Sequence, residues 1–262
     1  MKNDLLKITP EKAADQLMGF IKSEFAKAGF SRAVIGLSGG VDSAVSLVLG
    51  IRALGGENVY PALLPYGALS TQGTLDAMSF IQSQKIPLTH ICRIDIKPAV
   101  DEMCMKTAAA DNVRRGNIMA RVRMTYLFDQ AKKHEALVLG TENKSEQLLG
   151  YFTRFGDEAS DIEPLINLYK TQVFELAAYL GVPEQILTKK PTAGLWADQT
   201  DEGEFGFSYR DADGILTLLY DLKKSIDEVV SAGFDRGLVE KVKTRVEANN
   251  FKHHLPIISP GT

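Results

Sequence analysis

The sequence predicts an α/β fold: a doubly wound parallel sheet with helices on both faces, followed by a helical C-terminal part. Three observations lead there. Strand-like and helix-like signals alternate over the first two-thirds of the chain, which is how crossover-connected parallel strands read. The apolar run Ala33-Val34-Ile35-Gly36-Leu37 passes through paired glycines into an amphipathic stretch, the pattern of a strand feeding a phosphate-binding turn. The last third carries helical spacing alone. With 262 residues the chain can bury a substantial core. One domain over 1–262 is the economical reading, with a core over about 30–190 and a flap plus helical part over about 191–262.

Taken in order, Thr9-Pro10-Glu11 reads as a helix start, with a capping hydroxyl, a proline in the first turn and an acid near the positive end. Leu17, Phe20, Ile21, Phe25 and Ala28 recur at helical spacing, and Gly29 ends the helix. The first strand follows, then a helix over 42–54 closed by Gly55-Gly56. A second strand covers 59–64, and Pro65-Tyr66-Gly67 turns the chain into a helix over 74–84. In a doubly wound sheet this second βα loop lies beside the first, which places Leu63, Leu64 and Pro65 to flank a planar ligand ring. A third strand is expected over 88–94, helices over 98–110 and 116–133, and a fourth strand over 136–141. Residues 150–161 hold two glycines and three aromatics without a period and read as an ordered loop. Asn167 is expected to cap a helix that buries Phe174, Leu176, Ala177 and Leu180, with Lys170 in its first turn. Residues 189–203, with proline, glycines, acids and the only tryptophan, read as a flap that closes over a site. Helices over 214–224, 226–232 and 238–249 complete the chain.

The chemistry centres on Ser38-Gly39-Gly40-Val41-Asp42-Ser43. Gly39 and Gly40 remove side chains that would keep an oxyanion from the backbone, while Ser38, Ser43 and the free N–H groups of the following helix supply donors at its positive end. No lysine reaches across a β/γ bridge as in G-x-x-x-x-G-K-[ST], so the loop suits pyrophosphate as a leaving group. Asp42 beside phosphates would be repelled unless Mg²⁺ lay between them. Thr141, at the end of the fourth strand, and Glu146, five residues on, offer further oxygen ligands if that strand lies beside the first. Lys170 opposes its helix dipole, which points to a nearby anion. On a helical wheel Arg114, Asn117 and Arg121 fall within about 60° of one another, while Arg123 lies on the opposite side.

A net charge of −3 argues against a nucleic-acid surface and leaves an anionic ligand to a few placed cations. Cys92 and Cys104 lack metal or C-x-x-C spacing and are expected to be buried free thiols of a reducing cytoplasm. The first seven residues carry no signal-peptide apolar region, and no run of about 18 apolar residues occurs, so neither export nor a membrane is expected.

The S-G-G-x-D-S loop resembles that of the ATP pyrophosphatase group, and within it the chain is similar to the ammonia-dependent NAD⁺ synthetases over most of residues 30–256. The resemblance rests on Leu64-Pro65-Tyr66-Gly67, on Gly116-Asn117-Ile118-Met119-Ala120-Arg121-Val122-Arg123-Met124, on Thr141 with Glu146, and on Thr153 to Asp161. It implies a Rossmann-like fold of the adenine nucleotide α-hydrolase type, with ATP as co-substrate held by Gly36, Leu37, Ser38, Gly39, Gly40, Val41, Asp42, Ser43, Thr141, Lys170 and Thr192. Asp42 and Glu146 would bind Mg²⁺, and with Lys170 form the catalytic set; Arg121, Arg154, Asp161 and Lys252 would bind deamido-NAD⁺. The implied reaction is amidation of that dinucleotide by ammonia through an adenylated carboxylate, the last step of NAD⁺ biosynthesis, in a cytoplasmic homodimer. Ammonia is expected free or from a separate partner, since the synthetase strand begins within about thirty residues of the start.

The sequence departs from the family pattern at Arg154 and Glu158, where lysine and glycine are common, and at Phe251, His253 and His254, so that only Lys252 of the C-terminal H-K-R-R-x-P motif carries over. Two other functions fit the residues: another pyrophosphatase-loop adenylating enzyme, such as a transfer-RNA modifying or GMP synthetase-like activity, and an ATP-binding regulator without chemistry.

Overall fold

A computed structural model describes residues 5–109, 111–254 and Ser259. The first four residues, Ala110 at the expected end of the 98–110 helix, and Leu255-Pro256 of the C-terminal motif lie outside the described residues.

Among the described residues four strands form a parallel sheet in the order β3-β2-β1-β4, with β1 Ala33–Gly36, β2 Val59–Leu63, β3 Cys92–Arg93 and β4 Leu137–Val138. Ala33 pairs with Val59 on one side and Leu137 on the other, so the first strand is central and the fourth is its neighbour. A parallel bridge from Leu139 to Ile162 extends the sheet beyond β4. Alternation along the strands divides the core. Ala33, Ile35, Val59, Leu63 and Leu139 pack with α1 (Pro10–Ala28), α2 (Val41–Leu54), α3 (Thr71–Ser83) and α7 (Lys170–Leu180). Val34, Ala62 and Val138 face the other way, onto α4 (Lys97–Thr107) and α5 (Asn112–His134).

A third apolar cluster gathers α10 (Tyr209–Leu216) and α12 (Arg236–Asn249) around Leu149, Phe205, Phe207 and Phe234. The connecting helices are α6 (Lys144–Leu149), α8 (Glu184–Leu187), α9 (Asp201–Phe205) and α11 (Ile226–Ser231). Among the described residues no helix is long and apolar enough to cross a membrane.

Several local expectations need correction. The third strand shrinks from 88–94 to two residues because it lies at the sheet edge, paired only with β2, while residues 88–90 wind into a 3₁₀ turn that leaves Leu88 exposed. The α5 helix starts at Asn112 rather than 116, since Asp111 accepts the Arg114 N–H at 2.8 Å and caps it. Thr9 makes no side-chain cap; Pro10 alone marks the start of α1. Asn167 does not cap α7, whose N-cap is Tyr169, with the Tyr169 N–H donating to Gln172 Oε1 at 2.9 Å. The 214–224 helix begins earlier, at Tyr209, and ends in a π turn over Thr217–Asp221. Cys92 and Cys104 are free but only partly buried.

Candidate active site

The carboxyl ends of β1, β2 and β4 open into a cavity of about 410 Å³. Its floor is the turn between β1 and α2. Gly39 adopts φ +78°, and a Cβ there would lie 2.3 Å from the Gly73 carbonyl oxygen, while a Cβ on Gly73 would lie 2.5 Å from that of Ser38. Two backbones therefore touch where only glycines fit, and the start of α3 is packed on the anion loop. Within the loop the Gly40 N–H donates to Ser38 Oγ at 3.2 Å and Ser43 Oγ donates to the Gly40 carbonyl at 3.1 Å, which leaves the first N–H groups of α2 facing the cavity.

Beside this turn the Lys170 ammonium bridges two carboxylates, donating to Asp42 Oδ2 at 2.6 Å and to Glu146 Oε1 at 2.9 Å. Asp42 stands in the first turn of α2, Glu146 in that of α6 and Lys170 at the start of α7, so three helix N-termini converge. Asn143 fastens two of them: its Nδ2 donates to Asp42 Oδ1 at 2.9 Å and its Oδ1 accepts the Glu146 N–H at 3.0 Å. Burial alone would pull the Lys170 ammonium down, but Asp42 and Glu146 together outweigh it and hold it above the ordinary lysine range. Burial pushes Glu146 up, and Lys170 pulls it back.

Both carboxylates lie within hydrogen-bond reach of one ammonium, so their oxygens are no further apart than the sum of those two bonds. Two carboxylates lining the cavity beside the anion loop are oxygen donors of the kind Mg²⁺ takes, which makes Asp42 and Glu146 the residues that would hold such an ion. Among the described residues no group of three or more His, Cys, Asp or Glu is placed to hold a metal by itself.

Gly36, Leu37, Ser38, Gly40, Val41, Asp42, Ser43, Thr141, Glu146, Lys170 and Thr192 all line the cavity, as do Leu64 and Pro65. Gly39 is not among the lining residues, its carbonyl lying 3.4 Å from Lys189 Nζ, and Leu63 points into the core instead. The four residues matched to deamido-NAD⁺ lie elsewhere. Arg121 Nη2 donates to the Arg154 carbonyl at 3.1 Å, and Arg154 Nη1 to the Phe251 carbonyl at 3.3 Å. Lys252 Nζ donates to the carbonyls of Gly150 at 2.6 Å and Phe152 at 2.9 Å, so these three cations gather around the 150–155 loop. Asp161 Oδ2 accepts the Val138 N–H at 2.7 Å, at the sheet edge.

Three cavity residues were given no role by the sequence. Arg123 donates from Nε to the Leu64 carbonyl at 3.1 Å, from the face of α5 opposite Arg121. Lys189 Nζ donates to Asp76 Oδ2 at 3.0 Å and reaches the Gly39 carbonyl at 3.4 Å, joining the flap to the anion loop. Asp201 is 2% exposed; its Oδ2 accepts from the Tyr209 hydroxyl at 3.0 Å and its Oδ1 has no partner among the described residues. A local signal existed only for Arg123, as the second arginine of the A-R-x-R-M run.

A parallel sheet whose first βα turn is a glycine-lined anion cradle, flanked by a lysine held between two carboxylates, defines a nucleotide-binding protein of the adenine nucleotide α-hydrolase class. Comparison with known proteins narrows the class. A family model described as NAD synthase matches residues 13–256. The NH(3)-dependent NAD(+) synthetase of Trichlorobacter lovleyi is 42% identical over 97% of this chain and 92% of its own, and that of Fusobacterium nucleatum is 39% identical over 97% of both. Among solved structures, NMN synthetase from Francisella tularensis superposes with a TM-score of 0.85 at 34% identity, over 97% of this chain and 99% of that one. NH3-dependent NAD synthetase from Campylobacter jejuni, in complex with the nitrate ion, gives 0.82 at 31%, over 97% and 100%. The chain belongs to the NAD synthase family.

Proposed function

We propose that the protein joins ammonia to the nicotinate carboxylate of deamido-NAD⁺ at the expense of ATP, giving NAD⁺, AMP and pyrophosphate. The observation that carries this reading is the Lys170 bridge between Asp42 and Glu146 at the mouth of the anion loop, in a chain of this family.

A carboxylate is not amidated directly at neutral pH, because its oxygen does not leave and ammonia only deprotonates the acid. In the proposed reaction a carboxylate oxygen attacks the α-phosphorus of ATP, the bond from that phosphorus to the bridging oxygen breaks, and pyrophosphate departs onto the N–H groups of the 38–43 loop. Ammonia then attacks the acyl carbon, AMP leaves, and the nitrogen gives up a proton. Lys170 places one positive charge beside the phosphates as negative charge shifts to the leaving group. Asp42 and Glu146 would hold Mg²⁺, whose chemistry is to neutralise phosphate charge. Leu64, Pro65 and Arg123 are positioned to flank the base, and Thr141 and Thr192 to donate to the nucleotide. Arg121, Arg154, Asp161 and Lys252 are proposed to orient the dinucleotide, in a homodimer of the cytoplasm with free or partner-delivered ammonia.

Incubation with Mg-ATP, deamido-NAD⁺ and ammonium tests the reading. NAD⁺, AMP and pyrophosphate in equal amounts are expected; pyrophosphate only with an unrelated acceptor, or ATP binding without turnover, overturns it. The likeness to the Francisella tularensis NMN synthetase favours one second reading, the same amidation on nicotinate mononucleotide. A kcat/KM comparison of the two carboxylates in one assay separates them.

A further inference from the structure

Besides Asp201, the helical C-terminal cluster brings a second buried acid close to the site. Asp213, on α10, is fully buried, and none of the steps above uses it. Its Oδ1 accepts from Ser145 Oγ at 2.5 Å, and its Oδ2 accepts from the Thr171 N–H at 2.9 Å and from Thr171 Oγ1 at 2.8 Å. Ser145 Oγ in turn accepts the Lys170 N–H at 2.8 Å. Ser145 immediately precedes Glu146, and Thr171 immediately follows Lys170.

We infer that Asp213 is a positioning residue: from α10 it clamps the first turns of α6 and α7 together, and so fixes the Glu146 carboxylate and the Lys170 ammonium relative to each other. An ordinary helix cap would need only the Thr171 N–H. The Ser145 bond adds a second helix, and the two oxygens of one carboxylate then set the separation between both N-termini. The carboxylate also answers an electrostatic oddity, since Lys170 sits at the positive end of α7 and Asp213 places a negative charge at that same end. Tyr209, the first residue of α10, lies under the Lys170 ammonium with its ring centroid 5.3 Å away, so the same helix supports the lysine from a second side.

This role rests on the proposed reaction for its kinetic consequence but not for its binding consequence. Asp213→Asn keeps the shape and reverses the polarity: an amide nitrogen facing Ser145 would leave the serine proton without an acceptor. The variant is expected to raise the MgATP dissociation constant by about tenfold and to lower kcat by about 10- to 100-fold, with the KM for the nucleotide carboxylate within about twofold of wild type. Ser145→Ala is expected to lower kcat in the same direction, and the double variant to lose no more than Asp213→Asn alone. Thr171→Val, which conserves volume, is expected to lose MgATP affinity, and Thr171→Ser, which keeps the hydroxyl, to restore it. Equal behaviour of the Val and Ser variants, multiplicative losses for Asp213 and Ser145, or wild-type MgATP affinity in Asp213→Asn overturns the inference. If Asp213→Asn does not fold, the Ser145 and Thr171 variants decide alone. Wild-type protein that binds MgATP yet forms no NAD⁺ defeats the proposed function, while the affinities still decide the role of Asp213.

Discussion

Replacing Lys170 by methionine removes the cation from between Asp42 and Glu146 while keeping an unbranched side chain one atom shorter. The Lys170 side chain is 4% exposed and makes both ion pairs at normal hydrogen-bond distance, so its loss leaves the Asp42 and Glu146 carboxylates, 16% and 17% exposed, facing each other with no cation between them. Breaking a buried pair from one side costs about 3–5 kcal/mol. For a chain of 262 residues, at about 2 °C per kcal/mol, that predicts a melting temperature roughly 6–10 °C lower in metal-free buffer. The loss should grow with pH. Burial already pushes Glu146 up, and without Lys170 to pull it back the carboxyl can take a proton at low pH but not at high pH. A divalent ion should reverse the effect: Mg²⁺ at one hundred times its dissociation constant returns about 2.7 kcal/mol, and more of it in the variant than in the wild type, where Lys170 competes. Thermal melts at pH 6 and pH 8, with and without Mg²⁺, read all three consequences. A variant that melts within about 2 °C of wild type, or whose loss is equal at both pH values and indifferent to Mg²⁺, refutes the reasoning.

Other consequences follow from single residues. Burial first, then the neighbouring Glu163, pushes the Glu142 carboxyl up to about 9, and its Oε1 has no partner among the described residues. The folded protein thus keeps a proton that the unfolded chain releases, so this contribution is fullest below the ordinary carboxylate range and is lost as pH rises toward 9. Glu142→Gln should remove a slope of about 1.4 kcal/mol per pH unit from denaturant melts between pH 5.5 and 8.5, and an unchanged slope would sink the assignment. Gly39→Ala drives a Cβ into the Gly73 carbonyl at a positive φ and should raise the ATP dissociation constant more than about tenfold by calorimetry; wild-type affinity would show that the two backbones part freely. Arg123→Met should weaken ATP binding by about 1–2 kcal/mol while Arg121→Met leaves it unchanged, because only Arg123 lines the cavity; equal effects would contradict that geometry.

Sequence patterning captured the layers of the fold and missed its edges. Ala33-Val34-Ile35 is apolar at every position because both faces of the central strand are covered, and that run is visible without coordinates. An edge strand carries no such signal. Residues 88–94 alternate well enough to read as a strand, yet only Cys92 and Arg93 find partners, since nothing pairs on the far side. The helices α6 and α9 were missed for a different reason: at six and five residues they are too short to show a period, and only their caps, Asn143 and Thr200, mark them.

For the site, spacing on one element was legible and the phase of that element against the rest was not. The wheel separated Arg121 from Arg123 correctly, but which of the two faces the cavity depends on how α5 is rolled against β1 and β4, and that is set by Met119, Val122 and Ala131 packing onto Val34 and Val138. Lys170 could be read as misplaced because its conflict with the helix dipole is local; the two carboxylates that resolve it stand 128 and 24 residues away. Asp201 and Asp213 had no local conflict to betray them, being acids at the start of one helix and inside another. Their burial arises only when the C-terminal helices close against α6 and α7. The glycine-lined turn was written in one loop, while the contacts around Lys170 are distributed over three helices that meet at Asp213, through its bonds to Ser145 and Thr171.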